Sequence, residues 1–300
     1  MKTLLVIGGP TASGKTSLAI QLAQHYNTSI LSADSRQCYR EMTIGVAKPT
    51  QDELNTVPHY FINSHSIHDK VSAGEFERFG LNCLNSIFEK NEIAVCVGGT
   101  GLYIKALCEG IDEMPIIDKK IETQVNDDYA INGLEWVQQE LKSVDSSYYE
   151  SIDQQNPMRL LRALIFFKST GKSISTFQQN EKKQRPFNVL YFSLDLDRSC
   201  LYDRINQRVD LMISHGLLDE VKNLISFQEL KCMHTVGYSE LFQYLNQECT
   251  LEYAIDKIKQ HSRNYAKRQL TWFKNQSNYT FLKPESAFNE IVKICDSTQL

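Results

Sequence analysis

A stretch near the start of the chain has the composition of a phosphate-binding loop. Residues 9–16 read GPTASGKT and fit the pattern G-x-x-x-x-G-K-[ST] in full. In such loops backbone N–H groups surround phosphate oxygens, the lysine contacts the phosphates, and the final hydroxyl binds Mg²⁺. The predicted site residues are Gly9, Pro10, Thr11, Ala12, Ser13, Gly14, Lys15 and Thr16. The pattern indicates a polyphosphate ligand without identifying it.

Two further polar segments follow apolar runs. Asp34 lies in SADSRQ (32–37), and Thr100 lies in GGTGLY (98–103). Because open α/β sheets bind ligands at the carboxyl ends of their strands, both segments are candidates for the same site. Asp34 could act as a general base or Mg²⁺ partner, or only cap a turn. Thr100 could equally be an ordinary helix cap.

A basic segment near the carboxyl terminus combines cations with aromatic side chains. Residues 257–274 contain no Asp or Glu, and they include Lys267, Arg268, Tyr265 and Trp272. The whole chain has a net charge of −4, so this concentration of positive charge favours binding to a nucleic-acid backbone. The alternative is a solvated amphipathic helix whose aromatic residues belong to the core.

The elements that must position these residues follow from hydrophobic periodicity. Strands are predicted at 3–9, 29–32, 93–99 and 189–196, with helices at 15–26, 75–90, 201–226, 238–245 and 251–275. Alternation of strand and helix indicates a parallel sheet with crossover helices. Residues 118–183 contain amphipathic helical segments and no convincing strand. We therefore predict an α/β fold: a P-loop NTPase-like parallel sheet flanked by helices (1–117 and 186–300), with a helical insertion domain (118–185).

Composition narrows the class of protein. The chain has 300 residues, 42% hydrophobic and 23% charged, which excludes a disordered, collagen-like or coiled-coil protein. The eight cysteines include no Cys-x-x-Cys pair, so we expect no structural zinc site. The sequence predicts neither a signal peptide nor a membrane span, so we expect a cytoplasmic protein with reduced thiols.

Seven segments occur in an order that resembles a known family. They are GPTASGKT, SADSRQ, GVAKPT, GGTGLY, GLLDEV, VGYSEL and AKRQLTWF, spread from Gly9 to about Lys274. Together they are similar to the bacterial tRNA dimethylallyltransferases, also called tRNA isopentenyltransferases. The resemblance implies transfer of a dimethylallyl group from dimethylallyl diphosphate to an adenine N6, releasing diphosphate. The acceptor is the adenosine immediately 3′ of the anticodon (tRNA position 37).

The same resemblance implies partners and a cofactor. The phosphate loop would hold the diphosphate of the isoprenoid donor instead of a nucleoside triphosphate, with Mg²⁺ as cofactor. The macromolecular partner would be a tRNA anticodon stem-loop. We expect no membrane partner and a monomeric enzyme.

Roles for individual residues also follow from the resemblance. Asp34 would accept the N6 proton, and Arg208 would contact the diphosphate; the implied catalytic set is Asp34, Lys15, Thr16, Thr100 and Arg208. The implied tRNA contacts are Asp34, Ser35, Arg36, Gln37, Thr100, Met158, Arg159, Leu160, Leu161, Arg162, Lys267 and Arg268. One position departs from the family pattern: Glu122, next to Lys119 and Lys120, stands where an arginine is common.

Three other functions use part of the same features. A small-molecule kinase would need the phosphate loop and the Mg²⁺ ligands. An isopentenyltransferase that acts on free adenine nucleotides would need the loop and Asp34, but neither the insertion nor the basic helix. A non-catalytic RNA-binding protein would not need Lys15, Thr16, Asp34 and Arg208 together.

Overall fold

The chain packs as two compact units. A computed structural model describes residues 2–178 and 181–298. Residues up to 109 and from 184 onward form the first unit, and residues 110–183 form the second. The sequence-based expectation put these divisions at 117/118 and 185/186.

The first unit is built on one parallel sheet of six strands. The strands are β1 (Thr3–Gly8), β2 (Ile30–Ser32), β3 (His59–Tyr60), β4 (Ile93–Gly98), β5 (Asn188–Leu194) and β6 (Tyr279–Leu282). Their order across the sheet is β3-β2-β4-β1-β5-β6, and every pairing is parallel. All residues of β1 and β4 are buried, because a parallel sheet covered by helices on both faces needs strands that are apolar on both sides.

Strand register brings the functional segments to one edge of the sheet. Gly8 at the end of β1 pairs with Gly98 of β4 and with Ser193 of β5. Ser32 at the end of β2 pairs with Val97. The segments that follow β1, β2 and β4 therefore leave the sheet side by side, where open α/β sheets bind their ligands.

Within residues 2–178 and 181–298, twelve α-helices lie around the sheet or form the second unit. They are α1 (Lys15–His25), α2 (Gln51–Thr56), α3 (Ala73–Phe88), α4 (Gly101–Glu109), α5 (Lys119–Val144), α6 (Ser146–Ser151), α7 (Pro157–Thr170), α8 (Arg198–Ser214), α9 (Leu217–Asn223), α10 (Tyr238–Leu245), α11 (Leu251–Lys274) and α12 (Ala287–Thr298). Alternate residues of β1 face opposite layers: Leu4 and Val6 belong to the core with α3 and α4, whereas Leu5 and Ile7 belong to the core with α1 and α12.

The predicted fold class is confirmed, with local differences. The helix expected at 201–226 is two helices, because Gly216 between α8 and α9 has a left-handed φ of 95° that interrupts the first and begins the second. The strands β3 and β6 were not predicted. Each is a short edge strand, with only two and four residues, so neither carries a clear alternating pattern.

In the part of the second unit that the structure describes, every regular element is a helix and none is a strand. It contains α5, α6, α7 and a short 3-10 helix at Ile174–Phe177. The geometry of α5 is interrupted at Gly133. The core of the second unit includes buried Val137, Leu141, Leu160 and Leu164. In residues 2–178 and 181–298, the structure contains no helix with the length and apolar character needed to span a bilayer.

Candidate active site

The phosphate loop connects β1 to the amino terminus of α1. Gly14 precedes the helix with a φ of 94°, a conformation that glycine adopts without steric cost. The Lys15 ammonium donates to the Pro10 carbonyl at 2.9 Å, so the lysine folds over its own loop. Burial, with a smaller contribution from the Arg208 guanidinium, lowers the pKa of Lys15 to about 8. The helix terminus, the lysine and the arginine together favour an anionic ligand.

A cavity of about 560 Å³ opens at this edge of the sheet. It brings together most of the residues predicted for the catalytic site. Those that line it are Thr11, Ala12, Gly14, Lys15, Thr16, Asp34, Ser35, Arg36, Gln37, Arg208 and Arg268. Residues far apart in sequence therefore share one concave site, as expected for an active site.

Asp34 both organises a turn and faces the cavity. Its Oδ1 accepts from the backbone N–H groups of Arg36 (2.8 Å) and Gln37 (3.2 Å). The structure therefore shows the turn-capping interpretation, since Oδ1 fixes the turn, and it places Asp34 in the lining of the cavity. A role as general base or Mg²⁺ partner stays a prediction. The hydrogen bonds of the turn orient the carboxylate.

Thr100 fixes the backbone on both sides of Asp34. The Thr100 hydroxyl accepts from Ser35 N–H at 3.1 Å. Its own N–H donates to the Ala33 carbonyl at 3.2 Å. The structure thus gives Thr100 a positioning role in addition to the tRNA contact that the family resemblance implies.

Arg208 reaches the phosphate loop from α8. Its Nη1 donates to the Thr11 hydroxyl at 3.0 Å, and burial lowers the pKa of its guanidinium. Two cations, Lys15 and Arg208, therefore converge on the same loop. Both lie where a bound diphosphate would be neutralised.

Some polar atoms at the site are buried without a partner. Among residues 2–178 and 181–298, Ser13 Oγ, Ser193 Oγ and Arg36 Nε have no hydrogen-bond partner. Buried polar groups usually have one, so such atoms indicate a site that a ligand or water completes. Ser13 belongs to the phosphate loop, and Arg36 lines the cavity.

Sequence reasoning missed Glu220, which holds one wall of the cavity. From the first turn of α9, its carboxylate accepts from the N–H groups of Thr43 (3.1 Å), Ile44 (2.8 Å) and Gly45 (3.0 Å). It also accepts from the Tyr238 hydroxyl at 2.6 Å. One carboxylate therefore orders the start of the segment 43–47.

The segment 43–47 in turn accepts hydrogen bonds from Gln37. The Gln37 side-chain amide donates to the Ala47 carbonyl at 2.9 Å and to the Val46 carbonyl at 3.3 Å. The segments GVAKPT and GLLDEV both belong to the set that resembles the family. Their mutual contact depends on tertiary structure that neither contains.

Helix α11 contributes to the same cavity from the other end of the chain. Tyr265 and Arg268 line it, and the Arg268 guanidinium lies 5.6 Å from the centre of the Tyr265 ring. Burial raises the pKa of Tyr265 to about 12. Lys267 is exposed on the same helix. The sequence identifies Tyr265 only as an aromatic residue among cations and does not indicate that it lines the cavity.

Two cations of the basic segment are already paired. Lys259 forms an ion pair with Asp210 at 2.6 Å, and Arg263 donates to Asn206 Oδ1 at 2.6 Å. Both partners lie on α8, so these residues join α11 to the helix that carries Arg208. They are less available to a nucleic acid than Lys267 and Arg268.

The predicted tRNA contacts of the second unit divide by burial. Met158, Arg159 and Arg162 are exposed on α7, and the two arginines are spaced three residues apart on one face. Leu160 and Leu161 are buried in the unit's core, so their side chains are covered by protein, and their contact with tRNA stays a prediction. Glu122 lies exposed in the first turn of α5, where an acid interacts favourably with the helix dipole.

Comparison with known proteins gives consistent matches along the chain. The family model described as IPP transferase matches residues 37–276. The chain is 44% identical over 285 residues to tRNA dimethylallyltransferase 1 of Bacteroides thetaiotaomicron, covering 95% of this chain and 92% of that protein. It is 47% identical over 271 residues to tRNA dimethylallyltransferase of Christiangramia forsetii, covering 90% of each.

Solved structures agree with the sequence matches. The tRNA isopentenylpyrophosphate transferase of Bacillus halodurans superposes with a TM-score of 0.73 and 33% identity, covering 99% of this chain and 96% of that one. A eukaryotic dimethylallyltransferase acting on tRNA gives a TM-score of 0.75 and 25% identity, covering 94% of this chain and 74% of that one. By sequence and by fold, the chain belongs to the IPP transferase family of tRNA dimethylallyltransferases.

Proposed function

We propose that this protein is a tRNA dimethylallyltransferase. It transfers the dimethylallyl group of dimethylallyl diphosphate to N6 of the adenine immediately 3′ of the anticodon and releases diphosphate. The observation that carries the proposal is the single cavity shared by the phosphate loop, Arg208 and Asp34. Such a cavity can hold an anionic leaving group and a proton acceptor at the same time.

The leaving group is stabilised by fixed positive charge. As the allylic C–O bond breaks, negative charge grows on the diphosphate. Lys15, Arg208 and the amino terminus of α1 meet at the loop. Preorganised charge of this kind lowers the barrier because little reorganisation accompanies the reaction.

Asp34 acts as the general base on the acceptor. An adenine N6 amine is a weak nucleophile, because its lone pair is delocalised into the ring. A carboxylate within hydrogen-bond reach accepts the proton as the C–N bond forms. The turn made by Arg36 N–H and Gln37 N–H fixes this carboxylate.

The donor set fits a magnesium ion. Thr16 and Asp34 offer hydroxyl and carboxylate oxygens in the same cavity, and Mg²⁺ binds such hard oxygen ligands. Within the described residues, no cluster of three or more His, Cys, Asp or Glu could hold a metal. Mg²⁺ commonly combines one or two protein oxygens with substrate phosphates and water, so few protein ligands are needed. Thr16 would hold the ion, which would supply further neutralisation of the diphosphate.

The tRNA is held by exposed cations on both units. Lys267 and Arg268 on α11, with Arg159 and Arg162 on α7, are the proposed contacts to its backbone. The target base must leave the anticodon-loop stack to reach Asp34, which costs a few kcal/mol and less in a single-stranded loop than in a duplex. Arg36, Gln37 and Tyr265 line the cavity that receives it.

The proposal also covers location and assembly. The residues that line the cavity all belong to the first unit, and the enzyme proposed here is a monomer. The enzyme acts in the cytoplasm, where its tRNA substrate is found.

An assay with alternative substrates tests the proposal. The protein and Mg²⁺ are incubated with labelled dimethylallyl diphosphate and unmodified tRNA. In parallel reactions, AMP replaces the tRNA as acceptor, or labelled ATP replaces the labelled donor. We expect label in tRNA alone. Label on AMP would mean that the acceptor is a free nucleotide, and phosphate transfer from ATP would mean that the enzyme is a kinase.

A further inference from the structure

A buried glutamine connects the phosphate loop to the segment that follows β4. Gln269 of α11 is 7% exposed, and its Oε1 accepts from the Thr11 N–H of the phosphate loop at 2.9 Å. Its Nε2 donates to the Gly99 carbonyl, also at 2.9 Å. Both hydrogen-bonding groups of one side chain are therefore used, one on each segment. A buried amide satisfied in this way holds its two partners at a fixed separation.

Each partner of Gln269 leads directly to a functional residue. On one side, the Thr11 hydroxyl accepts from Arg208, and Lys15 donates to the carbonyl of the preceding Pro10. On the other side, Gly99 precedes Thr100, which binds the backbone on both sides of Asp34. Hydrogen bonds and short backbone segments thus link the phosphate loop through Gln269 to the residues on either side of Asp34.

We infer that Gln269 is a positioning residue for prenyl transfer. It fixes the distance between the phosphate loop, which holds the donor, and the Asp34 turn, which receives the adenine. This inference rests on the proposed function. Reactive groups must approach in a narrow range of distance and angle, and a displacement of about 1 Å can lower the rate about 10²-fold. Gln269 also lines the cavity, and its two hydrogen bonds go to Thr11 and Gly99. The proposed effect on the reaction therefore passes through these two residues.

The principal test replaces Gln269 with an apolar residue of similar shape. Gln269→Met keeps the packing of α11 and removes both hydrogen bonds. In the tRNA assay with labelled donor, we expect kcat to fall by about 10²-fold while the KM for tRNA stays unchanged. Gln260→Met, the same substitution at an exposed position of α11, is the matched control and should keep wild-type kinetics.

Two results would overturn the inference. One is an unchanged kcat in a folded Gln269→Met protein. The other is a loss of kcat/KM that comes entirely from a higher KM for tRNA, because that loss would reflect RNA binding. Absence of tRNA prenylation by the wild-type protein would instead contradict the proposed function, so the two failures are distinguishable.

A second variant keeps the inference testable if Gln269→Met does not fold. A methyl group on Gly99 would collide with the Gln269 amide, so Gly99→Ala should displace that amide and lower kcat. In a Gln269→Ala background the collision with the amide disappears, and the Gly9 carbonyl oxygen stays 3.3 Å from the new methyl carbon. We therefore expect Gly99→Ala to cost little there, a strong non-additivity in the double-mutant cycle. An equal cost of Gly99→Ala in both backgrounds would contradict the inference.

Discussion

Asp34 gives the sharpest prediction at the scale of single residues. Asp34→Asn retains the oxygen that accepts from Arg36 N–H and Gln37 N–H, so the turn persists while the base is lost. We expect kcat to fall by about 10²-fold or more. The affinity for tRNA, measured by filter binding, should be nearly unchanged.

A matched variant separates this effect from a general effect of removing a carboxylate. Asp52 is an exposed acid on α2 and does not line the cavity. Asp52→Asn should retain wild-type kcat. If Asp34→Asn lost tRNA affinity by the same factor as kcat, Asp34 would be a binding residue and not the base.

The lowered pKa of Lys15 predicts that donor binding depends on pH. Burial lowers its pKa to about 8, so above that pH the free enzyme increasingly holds a neutral amine. A diphosphate binds the protonated lysine better, so binding above about pH 8 requires uptake of a proton. The KM for dimethylallyl diphosphate should therefore rise as pH increases from about 7 to about 9.5.

The control for this pH dependence is Lys15→Arg. Arginine keeps its charge across the whole range, so the KM of this variant should be flat even if its value is higher. A flat profile for the wild-type protein as well would show that ionisation of Lys15 does not govern donor binding.

At the scale of elements, Glu220 joins α9 to the segment 43–47. Glu220→Gln places an NH₂ group against backbone N–H donors, so at least one of the hydrogen bonds to Thr43, Ile44 or Gly45 is lost. We expect the free energy of unfolding to fall by about 2 kcal/mol. Hydrogen exchange of the amides of residues 43–45 should become faster.

The neighbouring acid supplies the control for Glu220. Asp219→Asn makes the same change in charge one residue away, at a side chain that is 77% exposed and paired with Lys222 at 3.2 Å. Its exchange pattern should match the wild type. Equal acceleration in both variants would point to net charge as the cause.

The basic helix α11 predicts the salt dependence of tRNA binding. If Lys267 and Arg268 neutralise phosphates, replacing both with alanine should reduce the slope of log affinity against log salt by about 1.5. Lys259→Ala should leave the slope nearly unchanged, because Lys259 is already paired with Asp210. An unchanged slope in the double variant would assign this face of α11 to solvent.

Sequence patterns predicted the elements with regular periodicity and missed those fixed by distant contacts. The buried strands β1 and β4 were evident as apolar runs, whereas the edge strand β3 has two residues and no pattern. Gln269 did leave a signal, since it shares the helical spacing of buried Ala266 and Phe273. A polar residue on an apolar stripe needs a partner, but neither Thr11 nor Gly99 is identifiable from α11 alone.

For the molecule as a whole, the proposed function assigns donor binding to the first unit and tRNA contacts to exposed cations on each unit. The first contains the complete cavity, and the second presents Arg159 and Arg162 on an exposed face of α7. Arg159→Ala with Arg162→Ala should weaken tRNA binding and leave the KM for dimethylallyl diphosphate unchanged. Lys142→Ala, an exposed cation at the end of α5, is the control. Unchanged affinity in the double variant would remove this face from the RNA-binding surface.

The measurement that tests the central claim most directly is the chemical identity of the product. Unmodified tRNA is incubated with the protein, dimethylallyl diphosphate and Mg²⁺, then digested and analysed by mass spectrometry. The adenosine immediately 3′ of the anticodon should carry one dimethylallyl group on N6, and a parallel reaction with Asp34→Asn should contain far less of it. Unmodified tRNA, or a dimethylallyl group at another atom or nucleoside, would contradict the account.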